Sequence, residues 1–286
     1  MKLRTTIIRF GLAVPLAALS AILVATATFT TTPVSAAAQA SCESLASLAV
    51  PETTITTAQS VAAGTFVVPG GGGRRGQPNE PVANLPAFCR VAATLKPSSD
   101  SDIKVEVWMP ATNWNGKFQA VGNGGWAGSI SYPAMMDALR RGYATTSTDT
   151  GHTGGSASFA LGHPEKLIDY AYRSEHEMTV KAKALIAAFY GEGPKLSYFN
   201  GCSAGGKQAF KEAQRYPEDY NAMIAGAPGV NWTGRAIQSV WIAQASHKDE
   251  ASAILSAKFA TIHTAVLAAC DAIDGVKDGV LEDPTK

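Results

Sequence analysis

The chain has 286 residues, a formal net charge of +1, and 46% hydrophobic against 16% charged residues. This balance is typical of a globular protein with a sizeable core. Because the charge is near neutral and no basic run exceeds the pairs Arg74-Arg75 and Arg140-Arg141, nucleic acid is not expected as a partner.

The first predicted element is an export signal over residues 1–38. Lys2, Arg4 and Arg9 give a positive start, residues 10–24 are apolar, and small residues near 34–38 offer cleavage sites. The alternative is a retained membrane anchor, for which the apolar stretch is short. We therefore expect a secreted protein, extracellular or periplasmic, with no membrane anchoring in the mature form. Cleavage removes three positive charges from +1 and leaves about −2.

The four cysteines of an exported chain indicate disulfides, and four cysteines allow three connectivities. Cys42 and Cys89 lie early and are predicted to pair, whereas Cys202 and Cys270 lie late. From spacing alone, a Cys202–Cys270 bond remains open.

Strands and helices are predicted to alternate along the chain. Strands are expected over 65–68, 88–95, 103–110, 118–121, 143–149, 196–200 and 222–228, and helices over 135–141, 167–190 and 206–216. The glycine- and arginine-rich stretch 69–76 is read as an exposed loop. Alternation of this kind predicts an α/β fold with a mostly parallel sheet covered on both faces. Residues 39–230 form the predicted main domain, and a helical second unit begins at 231 and runs to 286.

The segment Gly201-Cys202-Ser203-Ala204-Gly205 has the G-x-S-x-G form of a nucleophile elbow, between a predicted strand and a predicted helix. Ser203 is the candidate nucleophile, and the alternative is that Ser203 only caps a helix. The N–H of Ala204 is a natural oxyanion donor. A second donor is expected from the glycine-rich segment that holds Gly124 and Gly125, unless those glycines only make turns.

Histidines that could activate Ser203 are scarce. In this fold the acid and the histidine follow the nucleophile, and only His247 and His263 do so here. Both are interpreted as ordinary helix residues. His152 lies upstream and is expected to order a loop near the site. The triad is therefore incomplete in this sequence.

An Asp/Gly-rich segment near the end of the chain suggests a cation site. Asp271, Asp274 and Asp278 are spaced three and four apart, with glycines after two of them. Hard oxygen ligands and tight turns suit Ca²⁺, although the spacing is not that of an EF-hand. The alternative is a plain surface turn.

With these residues in view, the chain resembles the tannase/feruloyl esterase family of secreted α/β-hydrolases from about Cys42 to Lys286. The motifs that carry the resemblance are FCRV (88–91), WNGKF (114–118), GNGG (122–125), STDTGH (147–152), YRSEH (172–176), GCSAGG (201–206), YPEDY (216–220), AGAP (225–228) and the Asp/Gly loop. Together they are specific to the family and not to one substrate within it.

The resemblance implies a serine esterase that cleaves aromatic-acid esters, feruloyl or galloyl, through an acyl-enzyme. Such esters occur in plant cell walls and polyphenols. Ser203 is then the nucleophile and the N–H groups of Ala204 and Gly124 or Gly125 are the oxyanion donors. The resemblance also implies a lid domain after Pro228. It assigns a structural Ca²⁺ to the side chains of Asp271, Asp274 and Asp278 and the carbonyls of Val276 and Val280.

Family members are about twice as long, so the resemblance implies a C-terminally truncated member with an incomplete sheet. In the family the cysteine beside the nucleophile is bonded to one beside the catalytic histidine, so Cys202 and Cys270 are expected to have partners beyond Lys286. The triad acid and histidine would also lie there, and the 286-residue chain is expected to be inactive alone.

The alternatives to the esterase function are a non-catalytic secreted binding fragment, or a peptidase or lipase on the same scaffold.

Overall fold

The computed structural model describes residues 39–70, 80–126 and 128–282. The predicted export signal (1–38) and most of the predicted loop 69–76 lie outside the described residues.

A seven-stranded mixed sheet organises the described chain. Its strands are β1 (Thr53–Val61), β2 (Phe88–Leu95), β3 (Ile103–Pro110), β4 (Lys117–Val121), β5 (Ala144–Thr148), β6 (Leu196–Cys202) and β7 (Ala222–Gly226). They lie in the order β1-β2-β3-β5-β4-β6-β7. The pairs β1-β2, β2-β3 and β3-β5 are antiparallel. The pairs β5-β4, β4-β6 and β6-β7 are parallel. The α/β class is confirmed, and the parallel pairing belongs to the half of the sheet that contains β6.

The α-helices are α1 (Tyr132–Arg140), α2 (Pro164–Ile168), α3 (Ser174–Tyr190), α4 (Ala204–Arg215), α5 (Trp232–Ser246) and α6 (Phe259–Cys270). One helix was expected over 167–190, whereas a π-turn, Asp169–Arg173, separates α2 from α3. In this turn the Ser174 N–H donates to the carbonyl of Asp169, five residues back. Gly191, at φ 78°, ends α3 in the left-handed conformation that glycine adopts readily.

The strand predicted over 65–68 is wrong, and β1 lies earlier in the chain. Phe66 is buried and its ring packs edge-on against Trp108, 4.7 Å between centroids, so this segment fills the core without pairing in the sheet. In β1, threonine and serine occupy both faces and only Val61 is buried. Because that strand lies at the sheet edge, its apolar alternation is weak and gives little sequence signal.

Helices cover both faces of the sheet. Side chains of β3 alternate between the faces, so Val107 and Trp108 belong to different buried clusters. Met178 of α3 packs in the Val107 cluster, and Met135 of α1 packs in the Trp108 cluster. The predicted disulfide Cys42–Cys89 is confirmed and ties the N-terminal turn to β2.

The segment after β7 lies on the surface. No residue of α5 or α6 is buried, and Trp241 is 68% exposed. One stretch of the described residues, Glu250–Cys270, is apolar and long enough to cross a membrane by length and composition alone. Only α6 within it is regular α-helix, and its 12 residues span about 18 Å against roughly 30 Å of bilayer core. The predicted unit boundary at 230 stays a prediction.

Candidate active site

Ser203 lies in a strained turn between β6 and α4. Its backbone has φ 61° and ψ −115°, a conformation that a residue with a side chain rarely adopts. The neighbouring strand and the segment after it hold the turn from both sides. The Ser203 N–H donates to the Gly226 carbonyl at 2.9 Å, and the Ser203 carbonyl accepts from the Gly229 N–H at 3.1 Å. Because the turn is fixed by these bonds, the serine side chain is presented beyond the end of the strand.

The glycines around Ser203 are required by close backbone contact. A Cβ on Gly201 would lie 2.4 Å from the carbonyl oxygen of Gly205, and a Cβ on Gly206 would lie 2.5 Å from that of Gly226. Both distances are shorter than any non-bonded contact a side chain tolerates. The sequence pattern therefore reflects how closely α4 approaches the strands beneath it.

The glycine-rich segment after β4 lies against the elbow. The Gly205 N–H donates to the Asn123 carbonyl at 2.8 Å, and a Cβ on Gly122 would be 2.6 Å from the Cα of Gly205. Gly124 and Gly125 follow directly, with open space at their Cα atoms, and Gly125 has φ 57°. Its carbonyl accepts from the Tyr170 hydroxyl at 2.8 Å. The predicted oxyanion segment is thus next to the nucleophile.

Ala204 opens α4, so its N–H has no partner within the helix and lies at the positive end of the helix dipole. This is the position that a developing oxyanion beside Ser203 requires. The roles of Ala204, Gly124 and Gly125 as donors stay predictions.

A buried polar network fixes the glycine-rich segment, and no sequence motif indicated this network. The Asn123 side-chain amide donates to the carbonyls of Ser129 and Thr148, each at 2.8 Å. Gln208 of α4 accepts from the Asn123 N–H at 3.0 Å and donates to Glu175. Burial raises the pKa of Glu175, and the positive charge of Lys207 opposes that shift. The elbow helix and α3 are therefore joined through Gln208, which also holds Asn123.

His152 orders the same segment from the other side. Its Nε2 lies 2.6 Å from the Trp126 carbonyl, and its ring stacks on Phe159 at 3.8 Å. His247 and His263 are exposed on the C-terminal helical segment. Within the described ranges, no histidine is hydrogen-bonded to the Ser203 hydroxyl.

Cys202 and Cys270 are free thiols, Cys202 exposed and Cys270 half-buried. They are not bonded to each other. That their partners lie beyond Lys286 stays a prediction.

In the Asp/Gly loop, each aspartate accepts a backbone N–H from within the loop. Asp271 accepts from Gly279, Asp274 from Val276, and Asp278 from Val280, at 2.8–3.0 Å. Carboxylates with neighbouring carbonyls are the donor chemistry that Ca²⁺ takes. Across the ranges 39–70, 80–126 and 128–282, no three acidic, histidine or cysteine side chains converge as a metal site. The fit therefore rests on donor chemistry, and Ca²⁺ stays a prediction.

A cavity of about 630 Å³ opens beside the elbow. Its wall includes Gly229, whose N–H is bonded to Ser203. Four aromatic residues also line it, together with Lys207 from the first turns of α4. Its size is in the range of small-molecule binding sites.

The helix α4 also buries a carboxyl group, that of Glu212, beside Asp219. Both oxygens of Glu212 are inaccessible to solvent. Burial, followed by the negative charges of Glu175 and Asp219, raises the pKa of Glu212 from its ordinary 4.5 to about 9. The folded protein therefore holds a proton on Glu212 at neutral pH, which the unfolded chain releases.

Glu212→Gln is expected to stabilise the protein at alkaline pH. A raised carboxyl pKa makes folding weaker as pH rises from about 4.5 towards 9, because the unfolded state loses its proton first. The amide has no proton to lose, so the variant gains on the order of 1–3 kcal/mol at pH 8 and nothing near pH 4. Thermal unfolding between pH 4 and 9 measures the gain, with the exposed Glu218→Gln as control. Equal pH profiles for variant and parent would contradict the assignment.

The family profile and the relatives that match this chain agree with one another. A family profile described as Tannase and feruloyl esterase matches residues 89–286. An uncharacterized esterase of Xanthomonas campestris is 42% identical over 253 residues, 88% of this chain and 42% of its own length. A probable feruloyl esterase B-1 of Aspergillus fumigatus is 39% identical over 197 residues, 68% of this chain and 37% of its own.

Solved structures give the same grouping. Feruloyl esterase B from Aspergillus oryzae has a TM-score of 0.74 and 33% identity, covering 86% of this chain and 49% of its own. Tannin acyl hydrolase from Aspergillus niger has a TM-score of 0.62 and 25% identity, covering 85% and 48%. The chain thus spans less than half the length of these proteins.

Proposed function

Because the chain belongs to the tannase and feruloyl esterase family, we propose that its protein is a secreted serine esterase acting on aromatic-acid esters, feruloyl or galloyl. The observation that carries the proposal is the strained backbone of Ser203, at φ 61°, beside the N–H of Ala204 at the start of α4. A serine held in this way serves nucleophilic catalysis, since a helix cap has no need of the strain.

In the proposed reaction the Ser203 Oγ attacks the ester carbonyl carbon and loses its proton to a base. The carbonyl oxygen becomes an oxyanion, stabilised by the N–H groups of Ala204 and of Gly124 or Gly125. The intermediate collapses, the C–O bond to the alcohol breaks, and the alcohol leaves with a proton. Water then attacks the acyl-enzyme, releasing the aromatic acid and restoring the serine hydroxyl.

The full-length protein is the longer protein of which this chain is predicted to be a part, and substrate profiling of it tests the proposal. We expect turnover of methyl ferulate or methyl gallate, and much slower turnover of tributyrin and of peptide amides. Preference for tributyrin or a peptide would favour a lipase or peptidase on the same fold. If an organophosphonate failed to label Ser203, the protein would be a binding module.

N-terminal sequencing of protein from the culture medium tests export, which predicts a start near residue 39.

We also propose a structural Ca²⁺ in the Asp/Gly loop, held by the carboxylates of Asp271, Asp274 and Asp278 and the carbonyls of Val276 and Val280. When bound, Ca²⁺ would neutralise the three carboxylates and fix the loop that follows α6. The ion has no step in the reaction proposed above. Gly275 and Gly279, at φ 96° and 83°, give the loop its turns.

Chelation is expected to lower the melting temperature of the full-length protein by about 5 °C, because a ligand that binds only the folded state contributes roughly 2–4 kcal/mol. Asp271→Asn should melt at this lower temperature and lose its response to EDTA. Asp249→Asn, a change at an exposed helix cap, should keep the full response. A melting temperature of the parent protein unmoved by EDTA would leave the segment as a plain surface turn.

A further inference from the structure

Three aromatic side chains meet at the cavity beside the elbow. The rings of Trp126 and Tyr170 stack with 4.9 Å between centroids, and Trp232 meets Trp126 edge-on at 5.2 Å. All three line the cavity. They come from the glycine-rich segment, the π-turn and the start of α5, and so converge from three separate parts of the chain.

Two of these rings lie close to the backbone around the nucleophile. Trp126 follows Gly125, in the predicted oxyanion segment. The Trp232 ring packs on Gly229, where an added Cβ would lie 2.7 Å from ring carbon Cζ3. The N–H of that glycine donates to the Ser203 carbonyl. The cavity wall therefore includes a residue bonded to the backbone of the nucleophile turn.

Lys207 brings a buried positive charge to this aromatic wall. The residue is only 9% exposed, and its Nζ lies 4.2 Å from the centre of the Tyr170 ring. An ammonium group has three donors, and in the described part of the chain Nζ has one acceptor, the Tyr170 carbonyl at 3.3 Å. Burial lowers the pKa of Lys207, and the negative charge of Glu175 opposes the shift.

A second donor in the wall has no acceptor. The indole Nε1 of Trp232 is inaccessible to solvent and unbonded among the described residues. Buried donors are normally satisfied, so an incompletely satisfied ammonium group in an aromatic cavity, with a second unpaired donor on a residue of the same wall, favours a ligand that supplies oxygen atoms. Aromatic walls suit a flat ring, and the donors suit oxygen substituents on that ring.

We propose that this cavity binds the aromatic ring of the ester substrate, with Lys207 Nζ and Trp232 Nε1 donating to phenolic or methoxy oxygens on the ring. The proposal rests on the esterase function above and adds to it a selection for oxygenated rings. An unsubstituted ring fills the same walls and leaves both donors unpaired, which is the arrangement that gives strong discrimination between similar ligands.

Binding of free acids tests the proposal without turnover. The full-length Ser203→Ala protein is titrated calorimetrically with ferulate and with cinnamate, which has the same carboxylate and side chain but no ring oxygens. We expect ferulate to bind at least ten-fold more tightly. Lys207→Met should remove most of this preference by weakening ferulate and leaving cinnamate unchanged. Lys211→Met removes the same charge one turn later in α4, also at the cavity, and should keep the preference.

Equal affinity of the Ser203→Ala protein for the two acids would overturn the proposal, and this measurement leaves Lys207 unchanged. Loss of the preference in Lys211→Met but not in Lys207→Met would overturn it too. Because Lys207 faces buried Glu175, Lys207→Met is first checked by near-UV circular dichroism. Trp232→Phe, which keeps a ring and removes the N–H, is the second variant and should also reduce the preference. Selective binding without ester turnover would refute the esterase proposal alone.

Discussion

Ser203→Ala is expected to lower kcat of the full-length protein on methyl ferulate by about 10⁶-fold, with little change in melting temperature. The size follows from the loss of the nucleophile itself, since removing the serine of a serine hydrolase costs about as much as removing the whole triad. Steady-state hydrolysis under conditions that detect the uncatalysed rate measures the effect. Ser197→Ala, in the same strand, is the control and should keep activity within a few-fold.

The 286-residue chain gives a second comparison. It has no histidine bonded to Ser203 within its described residues, so by itself we expect it to be as inactive as the Ser203→Ala protein. Hydrolysis by the purified chain at a rate near that of the full-length protein, abolished by Ser203→Ala, would show that the base is already present. Activity of the full-length Ser203→Ala protein equal to the parent would remove Ser203 from the mechanism.

Gly201→Ala is expected to cost at least about 3 kcal/mol of stability, or to displace the elbow and lower kcat by about 10²-fold or more. The added Cβ would lie 2.4 Å from the Gly205 carbonyl oxygen, a backbone atom that cannot move without shifting the start of α4. Thermal unfolding and hydrolysis rates are measured together, because the strain is released in either of these two ways.

Gly124→Ala is the matched control for that experiment. Its added Cβ meets no atom within 4 Å, and its φ lies outside the left-handed region. The backbone N–H proposed as an oxyanion donor is kept. We expect a change in stability within about 0.5 kcal/mol. A Gly201→Ala protein as stable and active as this control would mean that the elbow is looser than described.

Local patterns predicted the parts of the fold whose residues carry their own signal. β2 and β3 have the predicted limits because apolar residues alternate in them and both faces are packed. The elbow could be predicted because close backbone contact requires glycine at 201 and 206. β1 was missed because an edge strand of threonine and serine has no such constraint. The segment 65–68 was wrongly predicted as a strand because its buried aromatic residue, Phe66, is of a type common in strands.

The site beyond the elbow depends on contacts that no local pattern encodes. Trp126 and Trp232 are far apart in the sequence and meet only after β4 and β7 are placed in one sheet. Lys207 in a helix suggests solvent exposure, yet it is buried under Tyr170 and Trp232. Asn123 and Gln208 are bonded across the sheet end for the same reason. Such pairs follow from topology, which single positions do not specify.

The π-turn Asp169–Arg173 determines which residues of one helical segment can act on the same charge. In a regular α-helix, side chains four apart share a face, whereas the five-residue bond of this turn aligns residues five apart. Tyr170 and Glu175 are such a pair, and both act on Lys207, one by its carbonyl and ring and the other by its negative charge. The π-turn thus brings two residues of one helical segment to the same lysine of the cavity wall, through the path of the backbone.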